Sequence, residues 1–245
     1  MNGLVQSLLT PDWPAPATVQ ACVTTRAGGM SAAPYDSLNL GDHVGDAPGA
    51  VAANRQRLTE HFGIQPAWLS QVHGVVVAPA DPSRIVEADG SWTATPGVAC
   101  TVMTADCLPA LFCNRAGTRV AAAHAGWRGL ANGVLEATVE QLASAPDEIL
   151  VWLGPAIGPR NFEVGAEVRE VFVSRHAQAD EAFVPGAVAG KYLADIYQLA
   201  RIRLAVVGVT AVYGGGLCTV DDGRFFSYRR ANPTGRFASL VWLQE

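Results

Sequence analysis

Short apolar runs recur along this chain and never lengthen: VQACVTT, VHGVVVA, VACTVM, LPALFC, RVAAAHA, EILVWLG, VTAVYG and FASLVWL. Runs of this length, rich in β-branched residues and bounded by turn formers, read as strands. None approaches the roughly 18 apolar residues that a membrane span requires. Segments of helical period lie between them. In GAVAANRQRLTEHFG, Val51, Leu58 and Phe62 fall on one face, and Gly63 is placed to stop the helix in the left-handed region. LANGVLEATVEQLAS places Ala131, Leu135, Thr138 and Leu142 on another face, which predicts one helix from near Leu130. VGAEVREVFVSRH and KYLADIYQLARIRLAVVG are predicted to be two more.

About four helices among eight or more short strands define an α/β (mixed α+β) class. No linker rich in Pro, Gly or Ser divides the chain, so residues 1–245 are expected to form a single domain, with the Pro-rich stretch 11–16 as an extended lead-in. A hydrophobic content of 49% is ample for a packed core.

The opening MNGLVQSLLTPDWPAPATV has neither a basic region nor a sustained apolar core, so no signal peptide is expected. The chain carries 17 basic and 22 acidic residues, a net charge of −5, and no basic block. That pattern argues against non-specific binding to nucleic acid or anionic membranes, where neutralised phosphates supply the affinity. A few converging arginines would still suffice for a small anionic substrate. Cys22, Cys100, Cys107, Cys113 and Cys218 are odd in number and lack CxxC spacing, which points to reduced thiols in a cytoplasmic protein.

Three reactive side chains stand at strand junctions. His73 follows WLSQV, Cys107 follows VMTAD, and His124 ends RVAAAH before the turn AGWRG. Singly, each is most simply a packed or hydrogen-bonded core residue. Together, two imidazoles and a thiolate make a three-ligand set for zinc or copper with a fourth position open. Their separations of 34 and 17 residues form no local metal motif. His43 is a further possible ligand. A metal-free reading pairs Cys107 with His124 as thiolate and imidazolium, with Asp106 or Gln71 orienting the histidine, as in a cysteine hydrolase. Arg55 shares the helical face of Val51 and Leu58. It either brings its head to water along a buried stem or aims a planar guanidinium at an anionic ligand. Cys113, within the apolar run, reads as core.

The motifs TTRAGGMSAAPYDSLNLGDHVGD, WLSQVHG, VMTADCLPALF, VAAAHAGWRGLANGVLE, WLGPAIGPRNFEVGAEV and GLCTVDDGRFFSYRRANPTGRFASLVWL occur in that order. Together they resemble the laccase-domain, or YfiH-type, family over nearly the whole chain. The resemblance implies a layered sandwich of mixed β-sheets with flanking helices and duplicated βαββ-type units. It implies purine nucleoside phosphorylase activity on adenosine, inosine, guanosine and methylthioadenosine, with adenosine deaminase activity as well; some relatives are instead assigned to editing a cytoplasmic peptidoglycan precursor. His73, Cys107 and His124 match the family's metal ligands, implying Zn²⁺ with Cu²⁺ as the alternative. Asp106, adjacent to Cys107, is the candidate proton shuttle by analogy with zinc deaminases, unless as a strand neighbour its side chain faces the other way. Arg55 is the first choice for phosphate, Arg26 the second, ahead of Arg128, Arg229 and Arg230. Asn39 and Gln71 are implied substrate contacts. The expected partners are a nucleoside and phosphate, with no nucleic acid or membrane, and the expected state is a monomer. Five histidines cannot ligate the four coppers of a true laccase, so phenol oxidation is expected only as a side reaction.

Overall fold

Strands Val98–Thr104 and Leu108–Asn114 are three residues apart in sequence and lie in different sheets. The crossing between them organises the molecule. The computed structural model describes residues 8–244; the first seven residues, part of the opening read above, lie outside them.

The first sheet runs, edge to edge, Leu8–Leu9, Val19–Thr24, Phe237–Leu243, Val98–Thr104 and Gln65–Ala67. It is antiparallel except at Gln65–Ala67, which lies parallel to Val98–Thr104. The second sheet runs Val212–Gly214, Ile149–Leu153, Leu108–Asn114, Val120–Ala125, Gly90–Thr93 and Val77–Pro79. Its centre is antiparallel and both edges are parallel. Smaller sheets join Leu69–Ser70 to Val86–Glu87, and Glu163–Gly165 to Lys191–Ala194 to Phe183–Pro185. The class is mixed α and β, with few helices, as the sequence predicts.

Period-two alternation sorts the side chains into layers. Cys100 and Val102 of the first sheet meet Leu111, Cys113, Val120 and Ala122 of the second between the two sheets. The opposite face of the second sheet, Ala110, Phe112, Ala121 and Ala123, packs on Leu130, Leu135, Leu199 and Leu204 of the helices. The outer face of the first sheet, Cys22, Ala99, Met103 and Leu240, packs on Leu58. The order is helix, sheet, sheet, helices, and Cys113 is core, as its place in an apolar run predicts.

Helix Pro48–Phe62 starts with Pro at its first position and ends at Gly63, φ 66°, whose N–H donates to the Thr59 carbonyl. Two predicted helices differ from expectation. The one predicted from Leu130 is two, Trp127–Asn132 and Val134–Gln141, broken at Gly133 with φ 107°. The last begins only at Ile196, because Asp195 caps the N–H groups of Tyr197 and Gln198, and the preceding Lys191–Ala194 is strand. Pro109, which has no N–H to give a ladder, nevertheless lies inside a central strand opposite His124. Its carbonyl still accepts from the Gly154 N–H at 2.8 Å.

Candidate metal centre

The crossing from one sheet to the other is made by Ala105, Asp106 and Cys107. Asp106 has φ 100°, and its carbonyl accepts from the Ile157 N–H at 2.8 Å. Its carboxylate accepts from the Thr219 hydroxyl at 2.6 Å and from the Arg229 N–H at 2.7 Å. These bonds lock the corner that delivers Cys107, and they engage both carboxylate oxygens. His124 arrives on the neighbouring strand Val120–Ala125, one residue before its end.

His73 is brought in by a loop with left-handed backbone, φ 61°. The loop is gathered by Asp89, which is fully buried. Its carboxylate accepts from the N–H groups of Val72 at 3.2 Å, His73 at 2.9 Å and Gly74 at 2.6 Å. The same carboxylate accepts from His124 Nδ1 at 2.8 Å, which leaves Nε2 of that ring to face Cys107. One buried acid therefore orients both histidines. Sequence reasoning passed over Asp89, because no local motif marks it; only the register that pairs Gly90 with Ala123 brings it under His124.

The ligand atoms of His73, Cys107 and His124 all lie within 4.8 Å of one another, the one such group among the described residues. Cys107 Sγ is 3.7 Å from His73 Nε2, and the two imidazole rings are 4.7 Å apart at 74°. His124 is buried, Cys107 half-buried and His73 exposed, so the group opens to one side. Gly126 leaves the space beside it: a Cβ there would stand 2.7 Å from the His73 ring and 3.1 Å from Cys107 Sγ. Thiolate and imidazole donors of this number and spacing can hold a metal ion.

The charges agree with that chemistry. Burial opposes ionisation of Cys107, but His124 first and His73 next outweigh it and bring the thiol down to about 6. Burial lowers His124, and the Cys107 thiolate and Asp89 overcome it, raising the imidazole to about 9. For Asp89, burial is outweighed by the His124 hydrogen bond and the loop N–H groups, so the carboxyl sits below its ordinary value.

The group forms one end of a cavity of about 260 Å³ whose other walls include Gln71, Met103, Thr104, His43, Tyr228 and Arg236. Gln71 is a wall residue with both polar atoms engaged: its amide donates to the Met103 carbonyl at 2.9 Å and accepts from the Met103 N–H at 2.8 Å. Asn39 is fully buried and bonded to Gly41, Asp46 and the Arg236 N–H. Arg55 donates to the Leu40 carbonyl, pairs with Asp42 at 3.4 Å and stacks on Trp68 at 4.2 Å. Arg26 is bound to Asp36 at 3.0 Å. Neither arginine lines the cavity. Arg236, which does, was not singled out by the sequence, where it stands in the unremarkable PTGRF.

This layered α+β architecture is also found in known proteins. Residues 20–244 match the family described as multi-copper polyphenol oxidoreductase laccase, and the chain belongs to that family. A Pseudomonas aeruginosa protein named purine nucleoside phosphorylase PA4543 is 71% identical over 238 residues, which are 97% of this chain and 98% of that protein. The Escherichia coli protein named purine nucleoside phosphorylase YfiH is 57% identical, covering 98% of this chain and all (100%) of its own. The crystal structure of Neisseria meningitidis protein NMB0706 superimposes with a TM-score of 0.95 at 52% identity, covering 98% of this chain and 100% of that one. YlmD from Geobacillus stearothermophilus gives 0.89 at 31% identity, covering 98% and 97%.

Proposed function

We propose that this protein is a zinc-dependent, cytoplasmic purine nucleoside phosphorylase that cleaves adenosine, inosine, guanosine and methylthioadenosine with phosphate, and that it also deaminates adenosine. The observation that carries the reading is the convergence of His73, Cys107 and His124 on one open-sided cavity. Near full-length likeness to proteins named purine nucleoside phosphorylase supports it.

His73, Cys107 and His124 would hold the ion. Two borderline nitrogen donors and one thiolate suit zinc, with copper as the alternative, and one such group among the described residues is too few for a multicopper centre. Zinc, when bound, supplies Lewis acidity at the cavity floor. The chain does the rest. Asp89 fixes the ring orientation of His124 and the loop of His73, the outer-sphere role that keeps such ligands in register. Asp106 acts as a positioning residue for Cys107, its carboxylate being engaged by Thr219 and Arg229. Gln71, clamped on Met103, keeps the side wall rigid. In phosphorolysis a phosphate oxygen bonds to the ribose C1′, the C1′–N9 bond breaks, and the purine leaves carrying a proton.

The charged Cys107–His124 pair also supports a second reading, a metal-free cysteine hydrolase. A product-resolved assay separates the readings. Adenosine with phosphate should give adenine and ribose 1-phosphate, and adenosine alone should give inosine. Chelation or Cys107→Ala should abolish both, with added Zn²⁺ restoring the chelated wild type. Activity indifferent to chelation would favour the hydrolase, and the absence of both products would refute the phosphorylase reading.

A further inference from the structure

The arginines first expected to meet phosphate are engaged elsewhere, Arg26 by Asp36 and Arg55 by Asp42 and the Leu40 carbonyl. Arg229 and Arg230 donate to backbone carbonyls of Asn161, Glu163, Thr219 and Phe225. Arg236 differs. It lines the cavity beside the triad, and among the described residues no carboxylate lies within ion-pair distance of it. Its Nη1 donates to the Thr234 and Gly235 carbonyls at 3.1 and 3.0 Å, while Nε and Nη2 have no protein partner among the described residues. That free edge is the fork that grips two oxygens of a phosphate.

The residue is held in place. Its N–H donates to Asn39 Oδ1 at 2.8 Å, its stem lies over Gly41 where a Cβ would come within 2.8 Å of Cγ, and the next residue, Phe237, pairs with Thr104. Thr104 lines the same cavity, is 2% exposed, and has a hydroxyl with no hydrogen-bond partner among the described residues. A half-buried guanidinium with one edge unpaired and a buried hydroxyl without a partner are costly unless a ligand supplies acceptors. Burial holds the Arg236 pKa below the ordinary arginine value, against the opposing charges of Cys107 and Asp106. Neither Cys107 nor Asp106 hydrogen-bonds to it among the described residues.

We propose that Arg236 is the phosphate-binding residue of this site, its Nε and Nη2 taking two phosphate oxygens, with Thr104 completing the subsite and Asn39 acting as a positioning residue through Arg236. The assignment rests on the phosphorolysis reading above. Arg236 would hold the phosphate while its free oxygen bonds to C1′ and the purine departs.

The test compares wild type with Arg236→Gln in inosine phosphorolysis at varied phosphate and varied inosine, and in calorimetric binding of inorganic phosphate alone. The expected result is a KM for phosphate raised about 30-fold, in line with loss of a charge-assisted pair of hydrogen bonds. The KM for inosine and the metal content should stay within about twofold under the same argument. An unchanged phosphate KM, or an equal rise in both KM values, overturns the assignment. Should wild type show no phosphorolysis, the phosphorylase reading fails by itself and calorimetry decides this one. Binding lost in Arg236→Gln supports it, and equal binding overturns it. Cys107→Ala with Arg236 intact should still bind phosphate; complete loss there would assign the anion to the metal centre instead. If Arg236→Gln does not fold, Arg236→Lys carries the comparison: a several-fold weaker phosphate affinity supports the assignment, and full affinity refutes it.

Discussion

Burial alone would keep the Cys107 thiol protonated, as it does for Cys22, Cys100 and Cys113, each pushed up to about 12. Two imidazoles reverse this at Cys107, and the difference is measurable in metal-stripped protein. Alkylation at Cys107, followed by mass spectrometry of its peptide, should rise with pH through a midpoint near 6, because the thiolate population is lost as pH falls through that value. The buried cysteines should stay unreacted until the protein unfolds. Asp89→Asn removes the charge that helps His124 keep its proton, so the imidazolium weakens and the Cys107 midpoint should move upward. A midpoint near 8.5, the value of an unperturbed thiol, would mean that the pair does not form. At this scale the three side chains that converge were legible in the sequence, and what holds them was not. His73, Cys107 and His124 carry recognisable chemistry at strand ends. Asp89 and Arg236 depend on strand register and on a loop fold that no local pattern encodes. Arg55 shows the converse: helical spacing turns it inward, but Leu40, Asp42 and Trp68 meet it there.

Glycines at element ends do at the next scale what side chains do at the first. Gly126 joins strand Val120–Ala125 to helix Trp127–Asn132 with φ −57°, a conformation that alanine also adopts. Its replacement therefore tests space rather than backbone strain. Gly126→Ala would drive a methyl group against the His73 ring and Cys107 Sγ. The expected outcome is a zinc affinity lowered at least about tenfold, comparable to disturbing a ligand's outer support, with thermal stability of the metal-free protein nearly retained. Retained zinc affinity in a chelator competition would show that His73 swings clear at no cost. Gly133 illustrates why helix boundaries were harder to read than helix faces. The apolar spacing of Ala131, Leu135, Thr138 and Leu142 is correct, and all four are buried, yet the left-handed glycine divides the segment into two helices. Periodicity survives such a break, so the pattern alone conceals it. Pro109 misled in the opposite direction. Lacking an N–H, it reads as an interruption, but at the second position of its strand its carbonyl is still bonded.

At the scale of the whole molecule, the same strands serve two layers at once. Leu108–Asn114 gives Phe112 to the helix-facing core and Leu111 and Cys113 to the space between the sheets. Phe237–Leu243 gives Val241 to that space and Leu240 and Trp242 to the outer layer against Leu58. No layer can be removed without stripping a face from a strand that another layer needs, and the Ala105–Cys107 crossing ties the two sheets at the site itself. Chains of this length often unfold through intermediates. Here the sharing of strands predicts a single cooperative unit across residues 8–244. Tryptophans report on every layer: Trp92 and Trp127 on the helix side, Trp152 between the sheets, Trp68 and Trp242 on the outer face. In metal-stripped protein, where ligand binding does not shift the equilibrium, urea transitions followed by tryptophan fluorescence and far-UV circular dichroism should coincide. Phe112→Ala, which empties a fully buried position, should cost about 3–5 kcal/mol and move both curves together. If the fluorescence transition separated from the dichroism transition in that variant, the helix-facing layer would be an independent unit. The group of His73, Cys107 and His124 would then sit on a boundary free to open rather than on a seam held from both sides.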